Sequence, residues 1–184
     1  MATSKQSTAF FYAQYAFGCL RIFYFTEGVM TTVTFAGKEH LDMDEMERLY
    51  PVLKYSIEET ILKGATLFLL GGCTDFDKLA AVTLRMLKTK YPLINSRLVF
   101  PHCRLMYIED LYDSTEVPKL EPSTADKYAV VKRNWYMLSK SDCLITYRGD
   151  IAQDSEVGTR LAKYAAKHYP KMIIKKLEPI ELFK

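Results

Sequence analysis

The chain has 184 residues, of which 49% are hydrophobic and 26% are charged, a composition typical of one globular domain with a packed core. It excludes a mainly disordered chain, and the eight Gly and seven Pro exclude a low-complexity or collagen-like class. The formal net charge is only +3 and charges of both signs alternate along the sequence, so nucleic acid is not expected as a partner.

The N-terminal segment 1–29 contains an aromatic, almost uncharged stretch from Ala9 to Leu20. Three interpretations are open. The natural chain starts at Met30 and the segment is an upstream extension, or the stretch is an aromatic helix that packs on the domain or on a partner, or it is a signal peptide after Lys5. We therefore expect an N-terminal extension over 1–29 and a single domain over 30–184.

From Met30 onward, the pattern alternates between strand and helix. Short apolar or β-branched runs predict strands over 31–36, 66–70, 97–100, 143–147 and 172–174. Apolar residues at helical spacing predict helices over 42–63, 75–90, 125–139 and 157–168. Pro51 predicts a kink in the first helix or the start of a second one. Residues 102–124 are predicted to be irregular.

This alternation predicts an α/β fold, namely a Rossmann-like, doubly wound, mostly parallel sheet of about five strands with helices on both faces. In such sheets, ligands bind beyond the carboxyl ends of the strands. The sequence therefore directs attention to four loops, which cover residues 36–41, 71–76, 101–124 and 147–158.

The loop Gly71-Gly72-Cys73-Thr74 has the features of a phosphate-binding turn. Its glycines allow a positive φ and the close approach of a ligand, and the N–H groups of the next helix point to the same place. Thr74 or Asp75 can cap that helix. Asp77, one turn further on, either favours the helix dipole or bonds to a ribose. Many strand-to-helix turns use glycine for steric reasons alone, so the pair does not decide the matter.

Two other loops contain candidate residues. Lys38, after Gly37, either neutralises a phosphate or is a solvated lysine. Gly158 is unfavourable in the first turn of a helix, and it makes sense where a ligand or a strand passes close by. Glu156 is a candidate general acid or base, although a glutamate there more often only favours the helix N-terminus.

The predicted helix 125–139 comes nearest to a nucleic-acid-binding pattern, because aromatic and basic residues interleave there. These residues are Lys127, Tyr128, Lys132, Arg133, Trp135 and Tyr136. The same spacing fits an amphipathic helix with a solvated basic face, and we favour that interpretation.

The sequence also bears on cell compartment and metal binding. No uninterrupted apolar run reaches the roughly 18 residues of a membrane span, so no membrane partner is expected. The four cysteines include no pair at C-x-x-C spacing, and several adjoin apolar runs where reduced, buried thiols are usual. We expect a cytoplasmic protein without a metal site.

Several segments resemble the YspA/YpsA-like proteins of the SLOG superfamily, to which the DprA- and LOG-related proteins also belong. Residues 68–81 resemble the family's glycine-glycine signature, and residues 34–39 resemble its opening strand and turn. Residues 132–137 are similar to its arginine-asparagine helix, and Gly158-Thr159 is similar to its late glycine-threonine segment. The resemblance extends from Met30 to about Lys175.

The resemblance implies a small cytoplasmic domain that binds or senses a nucleotide or an NAD-derived ligand, with phosphate and ribose at the carboxyl ends of the strands. The candidate ligand-binding residues are Gly37, Lys38, Gly71, Gly72, Cys73, Asp77, Arg133, Asn134, Gly158 and Thr159.

Two alternative functions stay open. One is a nucleotide N-glycosidic-bond hydrolase related to the LOG phosphoribohydrolases, with Glu156 or Asp77 as acid or base and Arg133 as phosphate anchor. Ala162 stands where the LOG branch has its glutamate, so binding without catalysis is favoured. The other is a protein-interaction module whose aromatic N-terminal stretch docks a partner and whose pocket is vestigial. The aromatic content is also compatible with a homo-oligomer.

Overall fold

A computed structural model describes residues 10–16, 19–25, 31–101, 110–119, 126–148 and 157–178. The chain divides into two compact units, Met1–Met30 and Thr31–Lys184. Within the described ranges, none of the helices combines the length and the apolar character that crossing a membrane requires.

The N-terminal unit contains two antiparallel strands, β1 (Phe10–Ala16) and β2 (Cys19–Phe25). Phe10 pairs with Phe25, and Ala16 pairs with Cys19. The interpretation of this stretch as a helix is therefore wrong. Phe and Tyr are enriched in strands, and a two-residue connection suits an antiparallel pair, which explains the outcome. The other two interpretations of this segment stay predictions.

The second unit is a parallel α/β sheet with four helices among the described residues. Its strands are β3 (Thr31–Ala36), β4 (Ala65–Leu70), β5 (Asn95–Val99), β6 (Ser114–Glu116), β7 (Cys143–Thr146) and β8 (Ile173–Lys176). Its helices are α1 (Met43–Leu62), α2 (Asp75–Leu87), α3 (Asp126–Ser139) and α4 (Val157–His168).

The strand order is β6-β5-β4-β3-β7-β8, and every neighbouring pair is parallel. The predicted Rossmann-like fold is thus confirmed, with six strands rather than about five.

The two sides of the sheet pack against different helices. Phe35 and Phe68 belong to the core cluster that contains residues of α1 and α2, whereas Ala36 and Leu144 belong to the cluster of α3 and α4. Successive residues of a strand point to opposite faces, which explains why the neighbours Phe35 and Ala36 serve different clusters. The helices therefore cover both faces, as predicted.

Within the parallel sheet, β6 is the strand that the sequence does not reveal. It is three residues long, contains no apolar run and pairs with β5 at the edge of the sheet. The carboxylate of Asp113 fixes its start, because it accepts hydrogen bonds from the N–H (2.9 Å) and the hydroxyl (3.1 Å) of Ser96. A tertiary contact of this kind leaves no periodic signal.

Helix α1 continues through Pro51, so a second helix does not begin there. Asp42 caps it by accepting a hydrogen bond from the N–H of Glu45 (2.8 Å). Leu49, Leu53 and Ile57 are fully buried on both sides of the proline. Their burial stabilises the helix across the hydrogen bond that proline cannot donate.

Candidate functional site

The order of the strands indicates where a ligand would bind, at the carboxyl ends of the central strands. From β3 the chain proceeds through β4 and β5 to β6, and then returns to β7 on the other side of β3. Doubly wound sheets bind ligands at such a switch point, beyond the carboxyl ends of the strands. The residues that follow β3, β4 and β7 are therefore the candidate site.

The loop between β4 and α2 is held by its own side chains. The hydroxyl of Thr74 accepts a hydrogen bond from the N–H of Asp77 (3.0 Å), so Thr74 rather than Asp75 caps α2. The carboxylate of Asp77 in turn accepts one from the N–H of Cys73 (3.3 Å). Gly72 has a φ of +68°, which favours glycine.

The same loop is tied to the loop after β3. The N–H of Asp75 donates to the carbonyl oxygen of Glu39 (2.9 Å), and the Asp75 carboxylate accepts a hydrogen bond from the N–H of Leu41 (3.3 Å). Part of the donor capacity at the start of α2 is thus used within the protein. A ligand at this edge must find further donors.

Arg133 of α3 supplies them. Its side chain is buried, with 3% exposed. Its Nη1 donates to the carbonyl oxygen of Gly71 (2.7 Å) and lies 3.2 Å from Sγ of Cys73. Its Nε and Nη2 donate to Oδ1 of Asn134 at 3.1 and 2.8 Å. A Cβ on Gly71 would lie 2.7 Å from Nη2, so glycine lets the guanidinium approach the backbone.

The buried charge of Arg133 has no paired anion among the described residues, since none of their carboxylates lies within 4.0 Å of the guanidinium. Buried charges are ordinarily paired, because desolvation is costly. Asp77 is a buried acid that responds to this charge. Burial raises the pKa of the Asp77 carboxyl, and the positive charge of Arg133 and the N–H of Cys73 oppose that rise.

A second buried polar cluster follows β3. The carboxylate of Glu45 accepts hydrogen bonds from Nζ of Lys38 (2.6 Å) and from the hydroxyl of Tyr147 (2.5 Å). Lys38, a candidate phosphate ligand, is therefore engaged in an ion pair with a buried carboxylate. Sequence reasoning missed Glu45 and Tyr147. They are 102 positions apart and carry no motif that would have linked them.

Gly37 and Gly158 allow close packing at this edge. A Cβ on Gly37 would lie 2.3 Å from the ring of Phe76. A Cβ on Gly158 would lie 2.8 Å from the carbonyl oxygen of Tyr147 and 3.0 Å from that of Ala36. These contacts explain the glycines without a ligand, and Gly158 sits where a strand passes close by.

Two buried hydroxyl oxygens near the start of α4, those of Thr146 and Thr159, have no hydrogen-bond partner within the described part of the chain. Oγ1 of Thr146 lies 3.0 Å from the position of a Cβ on Gly158. Buried polar atoms are normally hydrogen-bonded, so these oxygens are suited to a ligand atom or a water. Sequence reasoning missed Thr146, because it looks like the end of an apolar strand.

The predicted site residues therefore fall into separate sets of contacts. Gly71, Cys73, Asp77, Arg133 and Asn134 are joined by short contacts and electrostatic interaction. Gly72 lies against Leu98 and Tyr112, since a Cβ on it would be 2.6 Å from the Leu98 side chain and 3.4 Å from the Tyr112 hydroxyl. The candidate Glu156 lies outside the described residues. The assignment of these residues to a ligand stays a prediction.

No protein-family model matches the chain, and no curated protein matches it. Among solved structures, the chain is similar to DNA processing protein A from Helicobacter pylori, with a TM-score of 0.53 and 16% sequence identity. The match covers 83% of this chain and 67% of that chain. This likeness shows the fold, a Rossmann-like α/β arrangement with a parallel sheet. Membership of the YspA/YpsA-like family stays a prediction.

The comparison corrects one expectation. The similar structure is described by its single-stranded DNA binding mode, so the statement that nucleic acid is not expected as a partner is wrong. The error has a physical reason. Net charge averages over the whole surface, whereas nucleic-acid binding depends on where the charges lie.

Proposed function

We propose that this chain binds a nucleotide-type ligand at the carboxyl ends of its central strands, with the guanidinium of Arg133 as the anchor for a phosphate. The observation that carries the proposal is the burial of this guanidinium with no carboxylate of the described residues within 4.0 Å. A bound phosphate would supply the missing anion, and its oxygens match the guanidinium fork.

The neighbours of Arg133 orient it for this role. Asn134 accepts from Nε and Nη2, while Gly71 accepts from Nη1. A guanidinium has five N–H donors, so at least one is left for a ligand. Cys73 is exposed and lies 3.2 Å from Nη1. The guanidinium thus contacts a side chain that is itself exposed, and the proposed phosphate approaches it from the side of Cys73.

Two further features support a nucleotide rather than a simple anion. The hydroxyls of Thr146 and Thr159 offer hydrogen bonds to a ribose or a second phosphate. The similar structure binds single-stranded DNA, a ligand that contains both phosphate and base. The finer proposal is a small-molecule-binding or sensing domain whose ligand is a nucleotide or is derived from NAD.

Thermal unfolding with AMP, ADP-ribose, NAD and inorganic phosphate tests the proposal, with Arg133→Lys as the variant. A ligand at about 100 times its Kd stabilises the folded state by about 2.7 kcal/mol. We expect a shift for at least one nucleotide and its loss in Arg133→Lys, which keeps the charge and loses the fork. Arg97→Lys is the control, since Arg97 is half-exposed and pairs with Glu116 (3.0 Å). A flat panel, or an unchanged shift in Arg133→Lys, would overturn the proposal.

Hydrolysis of the bound nucleotide is the second candidate, and the raised pKa of Asp77 favours it, because a carboxyl that keeps its proton can act as a general acid. Chromatography of each nucleotide after incubation tests it. Free base that disappears in Asp77→Asn would establish an enzyme. Intact nucleotides together with a thermal shift would establish binding alone.

A further inference from the structure

An aromatic stack joins α3 to α4. The rings of Trp135 and Tyr164 are stacked, with centroids 5.2 Å apart and planes inclined by 14°. The ring of Tyr164 also stacks on His168 at 4.3 Å and 26°. Trp135 is 40% exposed and Tyr128, two turns before it on the same side of α3, is 55% exposed. The stack is therefore open to solvent.

The described charged side chains of the two helices that carry this stack are of one sign. The described side chains of α3 from Tyr128 onward and those of α4 include no Asp or Glu. Their cationic residues are Lys132, Arg133, Arg160, Lys163 and Lys167. Helix α1, which packs on the other face of the sheet, instead contains Asp44, Glu45, Glu47, Glu58 and Glu59, against Arg48 and Lys54. The small net charge of +3 thus conceals a separation of charge between the two helical layers.

The cations flank the rings. Lys132 lies one turn before Trp135 on α3, while Arg160 and Lys167 lie one turn before and after Tyr164 on α4. Arg160 and Lys167 are exposed. Aromatic rings beside cations form the arrangement that holds the bases and phosphates of an unpaired strand.

We propose that this exposed side of α3 and α4, which we call the α3–α4 surface, docks a single-stranded polynucleotide. A base stacks on Trp135, and the phosphates on either side of it contact the flanking cations. Duplex bases are already stacked on one another, so the surface prefers an unpaired strand. The inference is independent of the proposed nucleotide site, because the side chain of Arg133 is buried against the Gly71 loop and takes no part in this contact.

Intrinsic fluorescence gives a direct test, because Trp135 is the single tryptophan of the chain. The oligonucleotide dT20 is titrated into the full chain at low salt, alongside a duplex of the same length. We expect saturable quenching by dT20, weaker quenching by the duplex, and an affinity that falls as salt rises. Absence of any binding, or preference for the duplex, would overturn the inference.

Variants locate the contact by the anisotropy of labelled dT20. We expect Trp135→Ala to weaken binding about tenfold. Lys167→Glu, an exposed change that leaves the stack intact, is expected to weaken binding and to flatten the salt dependence. The matched controls on the other helices are Tyr55→Ala, which removes a ring that is 69% exposed, and Arg85→Glu. Equal losses in the variants and their controls would refute a localised surface.

Two further outcomes separate this inference from its competitors. If Arg133→Lys abolishes dT20 binding while Trp135→Ala leaves it unchanged, the strand lies at the carboxyl ends of the strands instead. The α3–α4 surface then loses its role, while the proposed nucleotide site stands. If polyglutamate displaces dT20 at equal charge, base stacking contributes nothing and an acidic protein is the occupant.

Discussion

Replacing Gly158 by alanine tests whether α4 is held against the sheet by the absence of a side chain. Two physical effects of opposite sign meet at this position. Alanine is favoured over glycine within a helix by up to about 1 kcal/mol, so helix propensity alone predicts a more stable protein. The packing of α4 predicts the reverse.

The expected magnitude follows from the three atoms nearest to the added Cβ. They are the carbonyl oxygen of Tyr147 at 2.8 Å, that of Ala36 at 3.0 Å and Oγ1 of Thr146 at 3.0 Å. The two carbonyls are backbone atoms at the ends of β7 and β3, so they cannot turn away as a side chain can. Overpacking of this kind costs about 1–3 kcal/mol. Set against a propensity gain of about 1 kcal/mol, we expect a net loss of up to about 2 kcal/mol in the free energy of unfolding.

Urea unfolding followed by Trp135 fluorescence measures this loss, because Trp135 stacks on Tyr164 of α4 and reports its docking. The control is Ala166→Gly, an exposed position in the same helix, where propensity acts alone and the loss is about 1 kcal/mol. If Gly158→Ala stabilises the protein by as much as Ala166→Gly destabilises it, the close approach of α4 to β3 and β7 is refuted.

Three further predictions concern titration and exposure. Burial raises the pKa of the Asp77 carboxyl above its ordinary value of 3.8. In urea unfolding, the stability of wild type relative to Asp77→Asn is therefore expected to fall as pH rises above about 4, and the opposite trend would show that the charge of Arg133 dominates. Hydrogen bonds from Lys175 and Lys63 lower the pKa of Glu59 from 4.5 to about 2. Glu59→Gln is therefore expected to lower the free energy of unfolding at pH 7 by less than about 1 kcal/mol, and the difference from wild type closes as pH falls towards 2. No difference at pH 7 would contradict the pairing. Iodoacetamide at pH 8 is expected to modify the exposed Cys73 in the folded protein. Burial raises the pKa of Cys143 to about 11, so this thiol is expected to react only after unfolding. Peptide mass spectrometry measures both modifications, and equal rates would contradict the burial of Cys143.

Elements with a strong local pattern could be predicted from the sequence almost to the residue. Helix α4 was predicted over 157–168 and occupies Val157–His168, and β3 was predicted over 31–36 and occupies Thr31–Ala36. Apolar spacing decides α4, which buries one stripe against the sheet, whereas β-branched and aromatic residues decide β3, which is buried on both faces. Strand β6 and the N-terminal strand pair escaped prediction. Hydrogen bonds to residues elsewhere in the chain define β6. In β1 and β2, the aromatic residues show no hydrophobic periodicity that distinguishes a helix from a strand.

The candidate site also contains residues that the sequence identified and contacts that only the structure reveals. The Gly71 loop and Arg133 lie 62 positions apart, and only the family resemblance placed them together before the structure joined them by a hydrogen bond. Lys38 shows the limit of loop reasoning. A lysine after a strand looks available for a phosphate, yet its ammonium pairs with Glu45, whose burial depends on how α1 packs. Exposure and pairing are tertiary properties, and residue type does not encode them.

Helix α3 has two sides with different properties, one with a buried cation and one with an exposed aromatic ring. Arg133 and Trp135 are two residues apart, and at 3.6 residues per turn they point about 200° apart around the helix. One side of the helix therefore places a buried cation beneath the Gly71 loop, while the other presents an exposed ring to solvent. A phosphate on the first and a base on the second would contact different faces of the same helix, so binding at one need not occupy the other. Arg133→Lys should then weaken nucleotide binding and leave dT20 binding unchanged, and Trp135→Ala should do the reverse. If each variant weakens the binding of the same ligand, that ligand contacts both faces of the helix.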